Sequence, residues 1–279
     1  MNLSTNAANE ILRQYDLTCK ESPTLLSTNE KTTVYRCGQY VIKQSDDVWL
    51  LKTEALMLRT LAKADLPVPT LYGVGERGLV SGYIDHEKST DADEKEIARL
   101  LAMLHAHHAK AYGFEQDTTI GPFCQSNPWT SSWCKFFCEQ RILPFAASCE
   151  KEGHLHARYM VRIEKLMYKL PDLIIEPEAP SLLHGDVWQG NVLTCKEGIV
   201  FIDPACYYGH PEIELAFIAM FDTFKKRFFE CYNDYRRIEL GFFEERIYLY
   251  QLFPYLVHVR AFGDSYMSGV ERILKRFGC

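Results

Sequence analysis

A chain of 279 residues with 47% apolar and 13% aromatic side chains is long enough to bury a sizeable core and is far from the composition of a disordered segment. Its net charge of -6 argues against nucleic-acid binding through a bulk positive field, while leaving room for a local basic pocket. No run approaches the roughly 20 uninterrupted apolar residues of a membrane span, and Asn2, Asn9, Glu10 and Arg13 break the charged-then-apolar order of a signal peptide.

The expectation is a soluble, cytoplasmic, monomeric protein with no membrane or nucleic-acid partner. Ten cysteines are scattered without a Cys-x-x-Cys pair, so reduced thiols are expected. Cys134 and Cys138, or His105, His107 and His108, lack the full ligand set of a zinc site.

In chain order, residues 4–15 read as a helix capped by Ser4 or Thr5. Thr33–Arg36 and Gln39–Lys43 read as strands turning at Gly38, and residues 49–62 as a helix with a leucine face. Pro67 and Pro69 end it, and Leu71–Val74 and Leu79–Ile84 form a second strand pair punctuated by Gly73, Gly75 and Gly78. Asp85–Glu96 is an acidic connector. The remainder is mainly helical, with helices predicted over 97–108, 133–149, 156–170, 215–235, 244–262 and 266–277. Phe217, Phe221, Phe224 and Phe228 fall at helical spacing and read as packing residues. The composition shift places a boundary near residue 85, giving a small lobe over 1–85 and a larger helical lobe over 86–279.

The run from His184 to Asn191, followed by Asp203, carries the chemistry. Asp186, Asn191 and Asp203 stand in the order used by enzymes that move the γ-phosphoryl group of a nucleotide. Asp186 is expected to accept a hydrogen bond from the attacking hydroxyl, and Asn191 and Asp203 to hold Mg²⁺ against the phosphates. Upstream, Lys43 ends an apolar strand and Glu54 lies on the following helix. An ammonium aimed at phosphate needs such an anionic partner to fix its flexible stem. The main chain of Ser81, Gly82, Tyr83 and Ile84 then forms the hinge that reads the adenine edge.

Lys43, Glu54, the His184–Asn191 motif and Asp203 together resemble the kinase-like fold of aminoglycoside and choline phosphotransferases. Gly113-Phe114, Ile120-Gly121-Pro122, Trp129 through Trp133 into Phe136-Phe137, and above all Asp203–His210 are similar to the fructosamine and ketosamine kinases. Gly241–Arg246 and Leu249–Leu252 also fit, so the resemblance runs from about residue 34 to the C-terminus. It implies an α+β bilobal fold, with an antiparallel sheet and helix in the small lobe. It also implies ATP- and Mg²⁺-dependent phosphorylation of a sugar hydroxyl on a small sugar-amine or a glycated protein, at the 3-hydroxyl, which leads to spontaneous breakdown of the adduct. In this reading His184 braces the catalytic loop, and Trp188, Tyr207 and Glu214 lie toward the acceptor.

Three positions depart from the family pattern. The phosphate-covering segment Leu26–Thr33 contains no glycine, Glu214 stands where Asp is usual, and Thr118-Thr119 precede Ile120 in place of Asn and an aromatic. A kinase of an aminoglycoside or amino alcohol, and a nucleotide-binding protein without turnover, remain the alternatives. Cys37, near the phosphate segment, is a candidate for oxidation that disturbs phosphate binding.

Overall fold

The computed structural model describes residues 3–87 and 93–279. Helix α1 (Thr5–Leu12) begins at Ser4, whose Oγ accepts the Ala7 N–H, and lays Ala8, Ile11 and Leu12 on one face of a sheet. It is shorter than residues 4–15 predict. One 3₁₀ turn follows to Tyr15, and Asp16 at φ +59° ends it.

The sheet comprises β1 (Thr24–Thr28), β2 (Thr32–Cys37) and β3 (Tyr40–Ser45), then β4 (Leu71–Gly75) and β5 (Gly78–Gly82) after the linking helix α2 (Val48–Lys63). Strand order is β1-β2-β3-β5-β4, antiparallel throughout. β1 is fully exposed and carries no burial alternation, which is why periodicity misses it. The segment read as a phosphate-covering loop is therefore the end of β1, a tight turn, and the start of β2.

Asp47 caps α2 by accepting the Trp49 N–H. Two faces of α2 are buried against different partners. Leu51 and Ala55 pack on Leu79 of the sheet, whereas Met57 and Leu61 enter the core of the helical part. The Cys206 N–H also meets Met57 Sδ at 3.2 Å. This helix thus carries Glu54 on a support shared by both halves of the molecule.

Residues 88–92 of the acidic connector lie outside the described residues. Helix α3 (Asp93–Leu104) starts before Ile97 and stops ahead of His105–His108, shifting the predicted helix toward the N-terminus. A short hairpin, β6 (Thr118–Ile120) and β7 (Phe123–Gln125), follows. α4 (Trp133–Phe136) passes through a π-helical stretch, Phe137–Ile142, into α5 (Leu143–Lys151), so the single predicted helix contains a bulge. α6 (Ala157–Leu173) leads to β8 (Ser181–Leu183), β9 (Val192–Cys195), β10 (Gly198–Phe201) and β11 (Tyr207–Gly209).

The aromatic run predicted as one helix over 215–235 is two: α7 (Pro211–Met220) and α8 (Lys226–Tyr235). The chain turns at Asp222, φ +49°, and Thr223 N–H closes the end on Ile218 O. The break lets Phe224 and Phe228 face the core while Phe221 turns outward beside His258. α9 (Ile247–Phe262) is apolar on all sides and central, with Leu249, Tyr250, Leu252, Phe253 and Leu256 buried. α10 (Met267–Arg276) closes the chain. Among the described residues no helix is long and apolar enough to cross a membrane.

Candidate active site

Two short antiparallel pairs set the geometry. β8 pairs with β11 and β9 with β10, so the loop 184–191 and the loop 202–206 run side by side. They are stitched by Ala205 N–H to His184 O at 2.7 Å and by Ile202 N–H to Asn191 O at 3.0 Å. Gly185 takes φ +87°, and a Cβ there would lie 2.1 Å from the Ala205 carbonyl oxygen. Only glycine permits this approach of the two loops.

His184 is buried and braces both loops. Its Nε2 lies 3.1 Å from Ile202 O, and its Nδ1 accepts the Asp186 N–H at 3.3 Å. That pattern requires the neutral Nε2–H tautomer, and burial pulls the imidazole pKa below its ordinary value. Asn191 Nδ2 donates to Asp186 O (3.0 Å) and to Asp186 Oδ2 (2.9 Å). The Asp186 carboxyl is pushed up to about 7, by burial and by the charge of Asp203, against the hydrogen bond from Asn191.

Asp203, at φ +49°, directs Oδ1 to Lys43 Nζ at 2.7 Å. Glu54 Oε2 lies 2.7 Å from the same nitrogen. The strand, the helix below it and the second loop therefore converge on one ammonium. Burial lowers the Lys43 pKa, but the two carboxylates outweigh it and the group stays charged. Lys43 in turn holds the Asp203 carboxyl below its ordinary value.

Two cavities meet at this triad. One, of about 260 Å³, is lined by Val34, Val41, Leu58, Leu79, Leu193, Ile202 and the stretch from Ser81 to Ile84. The other, of about 400 Å³, is lined by Asp186, Trp188 and Asn191 together with Lys31, Pro122 and Phe262. Lys43, Glu54 and Asp203 line both. In the predicted hinge, Gly82 N–H is donated to Thr70 O and Tyr83 N–H to Gln39 O. The Ile84 amide, by contrast, is without a main-chain partner among the described residues. The Tyr83 ring lies under the Arg36 guanidinium, at 3.9 Å.

The residues read toward the acceptor separate. Trp188 is exposed, lines the larger cavity and folds its ring over Gly190. Tyr207 is buried behind the wall, stacked on Phe136 and covered by the Arg141 guanidinium at 4.0 Å. Glu214 is also buried. Its Oε1 accepts the Gly185 N–H at 2.5 Å, and its Oε2 lies 2.8 Å from His105 Nε2. His105 Nδ1 lies 2.6 Å from the Tyr232 hydroxyl, and burial keeps this imidazole neutral. Tyr207 and Glu214 thus stand behind the catalytic loop and contact no open acceptor space.

Sequence reading missed Arg141, Tyr232 and the role of His105. A lone polar residue ending the apolar run of α3 was the available signal for His105. Arg141 had none, because the π-helical stretch breaks the period that would have turned it inward. Cys37 is buried and its thiol is pushed up to about 12 by burial and by Cys19 beside it, which argues against a reactive thiolate there.

The donor set also bears on a metal. With its NH₂ engaged by Asp186, Asn191 keeps its amide oxygen, and Asp203 keeps Oδ2 beyond the Lys43 contact. Two hard oxygen donors without a dedicated cage fit Mg²⁺, which takes further ligands from phosphates and water. Among the described residues no group of three His, Cys, Asp or Glu side chains is arranged to hold a metal by itself.

Comparison with known proteins gives the chain's family and fold. The chain is 31% identical over 260 residues to a probable ketoamine kinase of Thermus thermophilus, covering 91% of this chain and 94% of the relative. It is 39% identical over 166 residues to the ketosamine-3-kinase of Mus musculus, covering 59% and 53% of the two chains. A Thermobifida fusca crystal structure assigned as a fructosamine-3-kinase superposes with a TM-score of 0.88 at 30% identity, covering 96% of this chain and 98% of that one. The aminoglycoside phosphotransferase APH(2")-IIa in complex with streptomycin and ATP shares the fold, with a TM-score of 0.69 at 19% identity over 99% and 97% of the chains. A family model described as fructosamine kinase matches residues 22–277, and the chain belongs to that family.

Proposed function

We propose that the chain is an ATP- and Mg²⁺-dependent ketosamine kinase, phosphorylating the 3-hydroxyl of sugar-amine adducts, free or on glycated protein. The observation that carries this reading is the meeting of the two cavities at Lys43, Glu54 and Asp203, with Asp186 on the acceptor side. Adenine lies in the apolar cavity, its edge read by the Ile84 amide. Lys43 takes the nucleotide phosphates, and Glu54 fixes it. Asn191 and Asp203 hold Mg²⁺, which supplies positive charge to the phosphate oxygens.

The sugar hydroxyl lies against Asp186. Asn191 occupies one carboxylate oxygen, which leaves the other to orient the hydroxyl and receive its proton. The acceptor oxygen bonds to the γ-phosphorus as the bond to the ADP oxygen breaks. Positioning dominates over basicity in such a transfer. The exposed ring of Trp188 offers an apolar face to the sugar, a role the buried Tyr207 does not share.

The test is Mg-ATP consumption with ribulosamine and fructosamine derivatives of lysine, a glycated protein, an aminoglycoside and choline. Turnover confined to ketosamines is expected. Turnover on the aminoglycoside or choline instead, or ATP binding without transfer to any of them, overturns the assignment.

A further inference from the structure

We infer that Lys31 is the phosphate-facing cation of the hairpin over the cleft, contacting the transferring phosphoryl group together with Lys43. The inference rests on the kinase reading above and adds a residue to it. Hairpins and loops that cradle phosphate with main-chain N–H groups need those amides free. In this turn those of Asn29, Lys31 and Thr32 are closed on the turn itself. Asn29 N–H is donated to Thr32 O at 2.9 Å, while Asn29 Oδ1 accepts Lys31 N–H at 2.9 Å and Thr32 N–H at 2.8 Å. The flanking Thr28 and Thr33 hydroxyls lie 3.2 Å apart and bond each other. With no glycine to bring main chain close and three of the turn's amides engaged, a side chain is the better-placed source of positive charge.

Lys31 is placed to supply it. Its Nζ spans the cleft to Pro122 O in the β6–β7 turn, at 3.0 Å, and among the described residues no carboxylate pairs with it. It lines the acceptor cavity with Lys43, Asp186, Asn191 and Asp203. The charge of Lys43 is already shared between Glu54 and Asp203, so Lys31 is the cation there with charge to spare. An ammonium carries three donors. Lys31 can therefore keep Pro122 and still donate to an equatorial phosphoryl oxygen, where charge spreads during transfer. A cation so placed acts on the γ-phosphate and leaves the adenine and ribose contacts alone.

The test is isothermal titration of Mg-ATP and Mg-ADP into the wild type, Lys31→Met and Lys31→Arg. No acceptor is required, so the outcome is independent of which sugar-amine is the substrate. In Lys31→Met, affinity for ATP should fall roughly tenfold, the loss of one charge-assisted contact. Affinity for ADP should stay within about twofold of wild type, and Lys31→Arg should restore most of the difference. Equal loss of ATP and ADP affinity, or no change in either, overturns the proposal.

Discussion

At the scale of single residues, the site is a set of charges that fix one another. Lys43 lies 2.7 Å from both Glu54 and Asp203, so removing either carboxylate changes the neighbours as well as its own role. Asp203→Asn is expected to remove most Mg²⁺-dependent turnover while the chain stays folded, since Glu54 still pairs with Lys43. Turnover measured across a Mg²⁺ titration checks it, and wild-type activity would sink the assignment. Asp186→Asn should behave differently. It keeps the contact geometry but loses the proton acceptor, so kcat should fall by about 10²–10⁴. The ATP dissociation constant should hardly move, and comparable losses in both would mean a structural role. That Asp186, Asn191 and Asp203 come together at one cavity was legible in the sequence, because phosphoryl transfer dictates residue type, order and spacing together. Lys43 and Glu54 were legible for a related reason, since a strand lysine needs a carboxylate on the element packed beneath it. Glu214 and Tyr207 were misread toward the acceptor. Neighbourhood in sequence to a catalytic motif does not say which side of the loop a side chain faces.

At the scale of elements, the catalytic loop depends on what stands behind it. Gly185 sits at φ +87° with Ala205 O in the space of a Cβ, and its N–H is held by Glu214 from the start of α7. Gly185→Ala should cost about 1–3 kcal/mol for the backbone strain alone, with more from the displaced carbonyl. A fall in Tm accompanied by loss of turnover is the expected result, read by thermal unfolding and a steady-state assay. An unchanged Tm would mean that the two loops are not in fact locked together. The helices and the two main hairpins were legible from periodicity and from the turn glycines. Their ends were not, because the terminators are not local in sequence. The split between α7 and α8, the π-helical stretch that turns Arg141 beneath Tyr207, and the exposed edge strand β1 are set by tertiary packing, and none leaves a period of 3.6 or 2.

At the scale of the whole molecule, stability should depend on pH through histidines buried without charge. His210 caps α7 by accepting the Glu212 N–H at its Nδ1, at 3.1 Å. The cap needs an unprotonated Nδ1, so protonation would remove it. Burial, with Arg246, Arg236 and His105 nearby, pulls the His210 pKa down to about 3. His105 is likewise lowered by burial, against the pull of Glu214. An unfolded histidine titrates near ~6.5. Between that value and the folded one, the unfolded chain holds more protons, so stability rises with pH. The contribution is complete above pH ~6.5 and is lost as pH falls toward the folded value. For His210 alone the loss by pH 5 is about 2 kcal/mol, at ~1.4 kcal/mol per unit. Two carboxyls work in the opposite sense: Glu212, raised by burial although paired with Arg246, near the carboxylate range, and Asp186, pushed up to about 7 by burial and by Asp203, across the window between ~4 and that value. Thermal unfolding from pH 5 to 8 should therefore show Tm climbing with pH, with Asp186 offsetting part of what the two histidines contribute, and levelling by about pH 7. His210→Asn replaces the acceptor with a good N-cap that cannot be protonated, and should flatten part of the acid slope, on a plateau lowered by the lost ring contacts with Trp133 and Tyr250. A slope identical to wild type would assign the acid sensitivity to other groups.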